Sequence, residues 1–184
     1  MILTNFLGAV FFVFLFIVRV MQFSSGNLVA ILLALQSALA AFFLVMREPA
    51  KRISHPLMSA IAWGCALLPL AFDVEDANVM YSLPGLLLAL WSLIALGFSF
   101  SIAPEDRGLV VRGPYRWIRH PMYAGELLSL LGLCFANPLA WNWLVLSVFA
   151  LAVFKRVVAE ESLLGDGYRN YAAVIRWRFI PGLF

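Results

Sequence analysis

Charge is scarce in this chain: Asp, Glu, Lys and Arg together make up 12% of 184 residues, against 64% hydrophobic residues and a mean hydropathy of +0.94. That balance excludes an ordinary soluble domain and leaves an integral membrane protein. Cysteine is almost missing. Cys65 and Cys134 stand alone inside apolar runs, without the paired spacing of a disulfide framework or a zinc site, so both are expected as small buried apolar residues. The two histidines, His55 and His120, lie in different loops with no compact carboxylate cluster nearby, so no metal centre is expected. The first apolar run has neither a basic n-region before it nor a small-residue cleavage site after it, and it is read as a retained span. A net charge of +3 does not indicate nucleic acid. The basic residues fall in loops between apolar runs, where membrane orientation alone requires them.

What the chain has in quantity is long hydrophobic stretches. A span needs roughly 17 to 25 mostly apolar residues, and six candidates cover about 3–21, 27–46, 57–73, 81–103, 121–136 and 138–156. The fifth is short, and only Asn137 and Pro138 part it from the sixth, a break that favours a tight helical hairpin. The expected fold is therefore an all-α membrane bundle of about six spans. Residues 1–103 supply the N-terminal spans, and 104–184 supply a loop, the hairpin and a cytoplasmic tail as one structural unit.

Orientation follows from the basic residues. Arg47, Lys51 and Arg52 lie in one loop, Arg107, Arg112, Arg116 and Arg119 in another, and Lys155, Arg156, Arg169, Arg176 and Arg178 at the end. Six spans place all three groups on one side, opposite Asp73, Glu75 and Asp76, with Arg19 alone near the other boundary. The positive-inside rule puts the basic side, and both termini, in the cytoplasm, and the compact loops fit a prokaryotic plasma membrane. Trp117, Trp141, Trp143 and Trp177 near span ends fit interfacial anchoring. Beyond the sixth span the apolar spacing of Leu163, Leu164, Tyr168, Tyr171 and Val174 is helical, with Gly165 and Gly167 interrupting it, so a broken interfacial helix is expected there.

Polar chemistry concentrates in RGPYRWIRHPMYAGE, Arg112 to Glu126, set against the start of the fifth span. Ionisable groups at a membrane boundary usually serve a function. His120 and the pair Glu160, Glu161 lie at similar distances from the Asn137–Pro138 turn, at ~1.5 Å per residue. Antiparallel packing of the hairpin thus returns the histidine to within a turn or two of the glutamates. Pro121 can open a helix without losing a needed N–H, which leaves amide donors for an anionic group. His120 and Tyr123, three apart, share a face, Glu160 or Glu161 can accept from an amine or hydroxyl, and Gly113 and Gly125 permit close backbone approach. One member of the glutamate pair is expected to serve the site and the other the structure. His55, next to Pro56 in a basic loop, is given a structural role.

Arg119, His120, Pro121, Met122, Tyr123, Ala124 and Gly125, followed after a hydrophobic span by Glu160 and Glu161, resemble the signature of isoprenylcysteine carboxyl methyltransferases. Phospholipid methyltransferases and related bacterial membrane methyltransferases share it. The resemblance runs from about Pro104 to the C-terminus and includes GPYR at Gly113 to Arg116, Tyr168, Tyr171 and RFIPG at Arg178 to Gly182. It implies S-adenosylmethionine bound between the last two helices and the tail, with no Rossmann domain. In keeping with this, the chain has no G-x-G-x-x-G loop. The implied cofactor contacts are Gly113, Tyr115, Arg116, His120, Pro121, Tyr123, Gly125, Glu160 and Glu161, and the implied catalytic side chains are Arg119 and Glu160. The implied partner is a lipophilic acceptor: an isoprenylcysteine-like carboxylate, a phospholipid amine or a thiol. Two rivals stand beside this reading, a sterol-reductase-like enzyme using NADPH and a non-catalytic lipid-binding protein whose arginines meet anionic headgroups.

Overall fold

A computed structural model describes residues 2–22, 28–47, 50–73 and 78–183 of the chain. Glu75 and Asp76, part of the orientation argument, lie outside the described residues. Six helices follow in order: α1 (Ile2–Gln22), α2 (Leu28–Met46), α3 (Pro56–Leu67), α4 (Leu83–Leu96), α5 (Pro121–Ala136) and α6 (Ala140–Val174). Leu28–Met46, Val79–Ser99 and Ala140–Val174 are long and apolar enough to cross a bilayer, and Phe6–Met21, Pro56–Ala71 and Pro121–Ala136 are shorter apolar helices beside them. Large side chains such as Phe135 and Leu151 are 64% and 67% exposed on the outside of the bundle, as lipid contact requires.

Local chemistry explains where the helices stop. The third span is α-helical only to Leu67 and tightens to a 3₁₀ turn over Leu68–Ala71, because Pro69 cannot donate to the helical ladder. The fourth was expected to reach residue 103 but leaves α geometry at Gly97, whose φ of 55° suits glycine. The Arg112 guanidinium then donates to the Ala95 carbonyl at 2.7 Å, covering a bare helix end. The sixth runs far past residue 156. No glycine or proline interrupts it before Gly165, where φ is 61° and the helix kinks before continuing to Val174. His55 accepts from the Leu57 amide at 3.3 Å and caps α3, the structural role expected of it.

α4 and α5 pack backbone against backbone. A Cβ added at Gly85 would stand 2.2 Å from the Ser129 nitrogen, and one at Gly125 would stand 2.5 Å from the Ala89 nitrogen. Small residues at such a crossing are the usual means by which membrane helices approach closely. Two apolar clusters flank it, one of Cys65, Leu130, Cys134, Phe149 and Val153 between α3, α5 and α6, the other of Ala40, Leu44, Leu93 and Ile102 between α2 and α4. Both cysteines are free and buried.

The three basic segments converge on one face. Strand β1 (Arg52–Ile53) pairs antiparallel with β2 (Glu105–Asp106), joining the loop after α2 to the loop after α4. The tail turns back on that loop, with the Arg119 and His120 amides donating to the Trp177 and Arg178 carbonyls at 2.8 and 2.9 Å. At the other end of the bundle buried Asn142 ties the α5–α6 turn to the loop after α3, donating to the Asp73 and Asn137 carbonyls at 2.9 and 3.0 Å and accepting from the Asp73 amide at 2.9 Å.

Candidate functional site

The hairpin returns the entry of α5 to the middle of α6. His120 is the residue before α5, its ring buried and stacked on Tyr123 at 6.0 Å between centroids. Across from them, the Tyr123 hydroxyl donates to Glu160, and the His120 Nδ1 stands 3.9 Å from the other Glu160 oxygen. Glu161, one residue on, has different company. Arg178 grips it with Nε and Nη2, each at 2.9 Å, the Tyr168 hydroxyl donates at 2.6 Å, and His120 Nε2 lies at 3.1 Å. Because an ionised carboxylate only accepts, Nε2 carries the proton in that contact, and the other ring nitrogen is left toward Glu160.

Glu161 is thus the hub of the tail. The bidentate grip is the strong form of charge-assisted pairing, and it holds the Arg178 guanidinium pKa above its ordinary value. Arg119 joins the same hub, with Nη1 at 3.4 Å from Glu161 and 3.2 Å from the Tyr168 hydroxyl, and Nη2 donating to the Arg176 carbonyl at 3.1 Å. The kink at Gly165 sets the last turns of α6 so that Tyr168 reaches this hub while the Tyr171 hydroxyl donates to the Tyr115 carbonyl at 2.6 Å.

A chamber of about 850 Å³ opens behind Tyr123 and Glu160 and extends between α1, α2, α4 and the loop after α4. Tyr115, Arg119, His120, Tyr123 and Glu160 line its polar end. So do two residues given no place in the site by the sequence, Glu126 and Arg156. Glu126 follows Tyr123 by three positions and faces the same way. Arg156, read above as an orienting charge, is 7% exposed, donates to the Ile102 carbonyl at 2.7 Å and lies 4.9 Å over the Tyr123 ring. A sequence signal for it existed in its spacing of four from Glu160 on one helix, which puts the two on one face.

The remaining site candidates are placed elsewhere. Gly125 abuts α4, as above, and Gly113, with φ of 58°, abuts Ala95 and Trp91. Their missing side chains are used in helix packing and not on the chamber wall. Arg116 is exposed and lines a shallow groove against Gly167, Asn170 and Val174. Pro121 is buried as the first residue of α5, as its chemistry anticipates. Tyr115 is buried at the chamber edge, and burial above all, with the charge of Glu160 adding to it, pushes its phenol well above the ordinary pKa, so it acts as a neutral donor and aromatic wall.

The arrangement thus offers a carboxylate, an imidazole nitrogen and several aromatic faces around one end of a largely apolar chamber. The family model of phospholipid methyltransferase matches residues 77–171, just over half of the chain. No curated protein matches it.

Proposed function

Since the chain belongs to the phospholipid methyltransferase family, we propose that it is a membrane methyltransferase that uses S-adenosylmethionine and methylates a lipophilic acceptor held in the chamber. Membership carries the coarse statement, methyl transfer within a membrane. The finer one rests on a single observation, the division of labour between neighbouring glutamates. Glu161 is consumed by Arg178, His120 and Tyr168, whereas Glu160 stands on the chamber wall with Tyr123 and the His120 Nδ1 beside it.

The residues present suit the methyl donor. Its ammonium and ribose hydroxyls need an acceptor, which Glu160 supplies, and its adenine needs flat walls, which Tyr115, Tyr123 and Tyr168 supply. The space is of the size that small-molecule sites have, roughly 300 to 1,000 Å³. Bound there, the donor would supply a methyl group on a positively charged sulfur. The protein's own part is to hold two reactants in line and to exclude water, which together account for much of the acceleration of a reaction in which the positive charge leaves the sulfur. Arg119, expected as a catalytic group, fits better as the clamp that fixes Tyr168 and Glu161, and through them His120.

The polar wall also bears on the acceptor. Two carboxylates, Glu126 and Glu160, share this wall with one guanidinium, Arg156, while the charge of Arg119 is matched by Glu161, so the wall favours an acceptor that is a cation before it reacts. An amine suits that field better than a carboxylate, and it must shed a proton, for which Glu126 or Glu160 is within the site. We therefore place a lipid amine ahead of an isoprenylcysteine-like carboxylate. The basic face, with both termini, is assigned to the cytoplasm by the positive-inside rule, so the donor enters from water and the acceptor from lipid. Incubation of purified protein with isotopically labelled methyl donor and a total lipid extract, followed by mass identification of products, tests the proposal. A labelled lipid amine is the expected product, and no labelled lipid of any class would overturn the reading.

A further inference from the structure

Of the ionisable groups inside the spans, Glu126 stands apart. It lies beyond Pro121 along α5 by roughly 7 to 8 Å of helix rise, a turn deeper in the bundle than Tyr123. Met122, Tyr123, Glu126, Ser129, Leu130 and Leu133 line the chamber and recur at helical spacing, so they form one face of α5. The Glu126 carboxylate is carried on that face, while Leu128 and Phe135 are exposed on the other side of the helix. Among the described residues it makes no hydrogen bond and no ion pair. It is half-buried, and neither of its oxygens belongs to the sealed, unpartnered polar atoms of the chain, so the carboxylate is reachable from the space it faces.

The charges around it are already engaged. Glu160 receives the Tyr123 hydroxyl, and Glu161 pairs with Arg119 and Arg178. The charged groups that face Glu126 are Arg156 and Glu160, both from α6. Arg156 is drawn elsewhere, with Nη2 donating to the Ile102 carbonyl at 2.7 Å and its guanidinium 4.9 Å over the Tyr123 ring. α4 brings only the apolar Leu86, Ala89, Leu93 and Leu96 to the chamber. A carboxylate without a partner in a membrane helix is costly, and such residues generally face an internal space and mark a binding or proton-handling position.

We propose that Glu126 binds the ammonium of the acceptor amine and takes its proton, leaving Glu160 to the methyl donor. The inference rests on the methyltransferase reading above and assigns to one glutamate a proton step that two could perform. Depth separates them: Glu160 stands beside His120 where the chamber meets the basic face, whereas Glu126 looks into the apolar part that receives the acceptor's chain. One N–H bond of the ammonium breaks and its proton goes to a Glu126 oxygen. The freed nitrogen lone pair bonds the methyl carbon as the carbon–sulfur bond breaks, and that electron pair stays on sulfur. The product nitrogen then carries the positive charge, and Glu126 returns its proton to water when the product leaves.

Binding is measured with purified protein in neutral detergent and no methyl donor, using octadecylamine and octadecanol, which share a chain and differ in the charged head. Wild type is expected to prefer the amine by about tenfold or more, the scale of one charge-assisted contact. Glu126→Gln should lose that preference while its affinity for S-adenosylmethionine, titrated separately, stays at the wild-type value. Methyl transfer to octadecylamine should slow in this variant by about a hundredfold or more, the scale of a lost general base. Glu126→Asp, which keeps the charge, should recover the preference. Equal affinity of wild type for the two amphiphiles, or an amine preference that survives in Glu126→Gln, overturns the assignment and leaves the methyltransferase reading standing, whereas binding of neither amphiphile overturns the chamber reading as well. A loss of S-adenosylmethionine affinity in Glu126→Gln with the amine preference intact gives the carboxylate to the donor and also overturns the proposal. Should Glu126→Gln fail to fold, wild type decides: a hydrophobic carbodiimide should couple to Glu126, located by peptide mass, and octadecylamine but not octadecanol should protect it. Absence of that selective protection contradicts the account.

Discussion

Glu160 and Glu161 follow one another on α6 and meet different partners, Tyr123 for the first and Arg178, His120 and Tyr168 for the second. Substitution separates their roles. Glu161→Gln breaks the charge-assisted grip on the tail and is expected to cost about 2 kcal/mol, read as a lower thermal midpoint in detergent and as faster proteolysis beyond Val174. Glu160→Gln keeps an acceptor for Tyr123, so its stability should stay within about 0.5 kcal/mol of wild type while donor binding is lost. A pair of variants with equal stability and equal affinity would remove the distinction. At this scale the sequence identified the partners well. The hairpin spacing sufficed to bring His120, Tyr123 and the two glutamates together, and the split between the glutamates was expected without its assignment. Glu126 and Arg156 escaped because their burial depends on how α5 and α6 are rotated about their axes, which α4 and α3 decide through packing that spacing alone does not encode.

Among the elements, the α4–α5 crossing sets backbone against backbone, and it changes the meaning of the glycine in the histidine-containing motif. Gly125→Ala would drive a methyl group onto the Ala89 backbone nitrogen, 2.5 Å away, where no side chain can move aside. Overpacking of this kind costs typically 1–3 kcal/mol, to be read as a lower midpoint of thermal unfolding. Gly64→Ala, in α3 with nothing within 4 Å of the added carbon, is its control and should leave the midpoint unchanged or raise it slightly. Gly165 acts differently, through its positive φ. Gly165→Ala costs roughly 1–2 kcal/mol in backbone strain and should reduce methyl transfer, since straightening the kink withdraws Tyr168 from His120 and Glu161. Full activity in that variant would show that the kink does not position the tail. The α5 limits, Pro121 and Ala136, were legible because Pro121 and Asn137–Pro138 mark them in the sequence. The early end of α4 was legible only as a possible kink at Gly97, since the Arg112 cap that fixes it comes from a loop whose path the apolar pattern does not describe.

Across the whole molecule, polar chemistry gathers at one face of an apolar bundle. Single cysteines at Arg169→Cys and Leu139→Cys, in a chain with Cys65 and Cys134 replaced by alanine, should react with a membrane-impermeant reagent from opposite sides of sealed vesicles. The first is expected to be reached only from the cytoplasmic side, and reaction of both from one side would undo the six-helix topology. The bundle and its hairpin were readable from hydropathy and from the three basic segments, which β1–β2 and the folded-back tail bring together. The chamber was not, because an internal space arises from the mutual tilt of helices and leaves no periodicity in the chain. The central claim is that this chamber ends in a methyl-donor pocket built on Glu160 and His120. Calorimetric titration of purified protein with S-adenosylmethionine, and in parallel with NADPH, tests it most directly. Saturable binding of S-adenosylmethionine that disappears in Glu160→Gln, with no binding of NADPH, is the expected result; binding of NADPH alone, or S-adenosylmethionine affinity unchanged in Glu160→Gln, would contradict it.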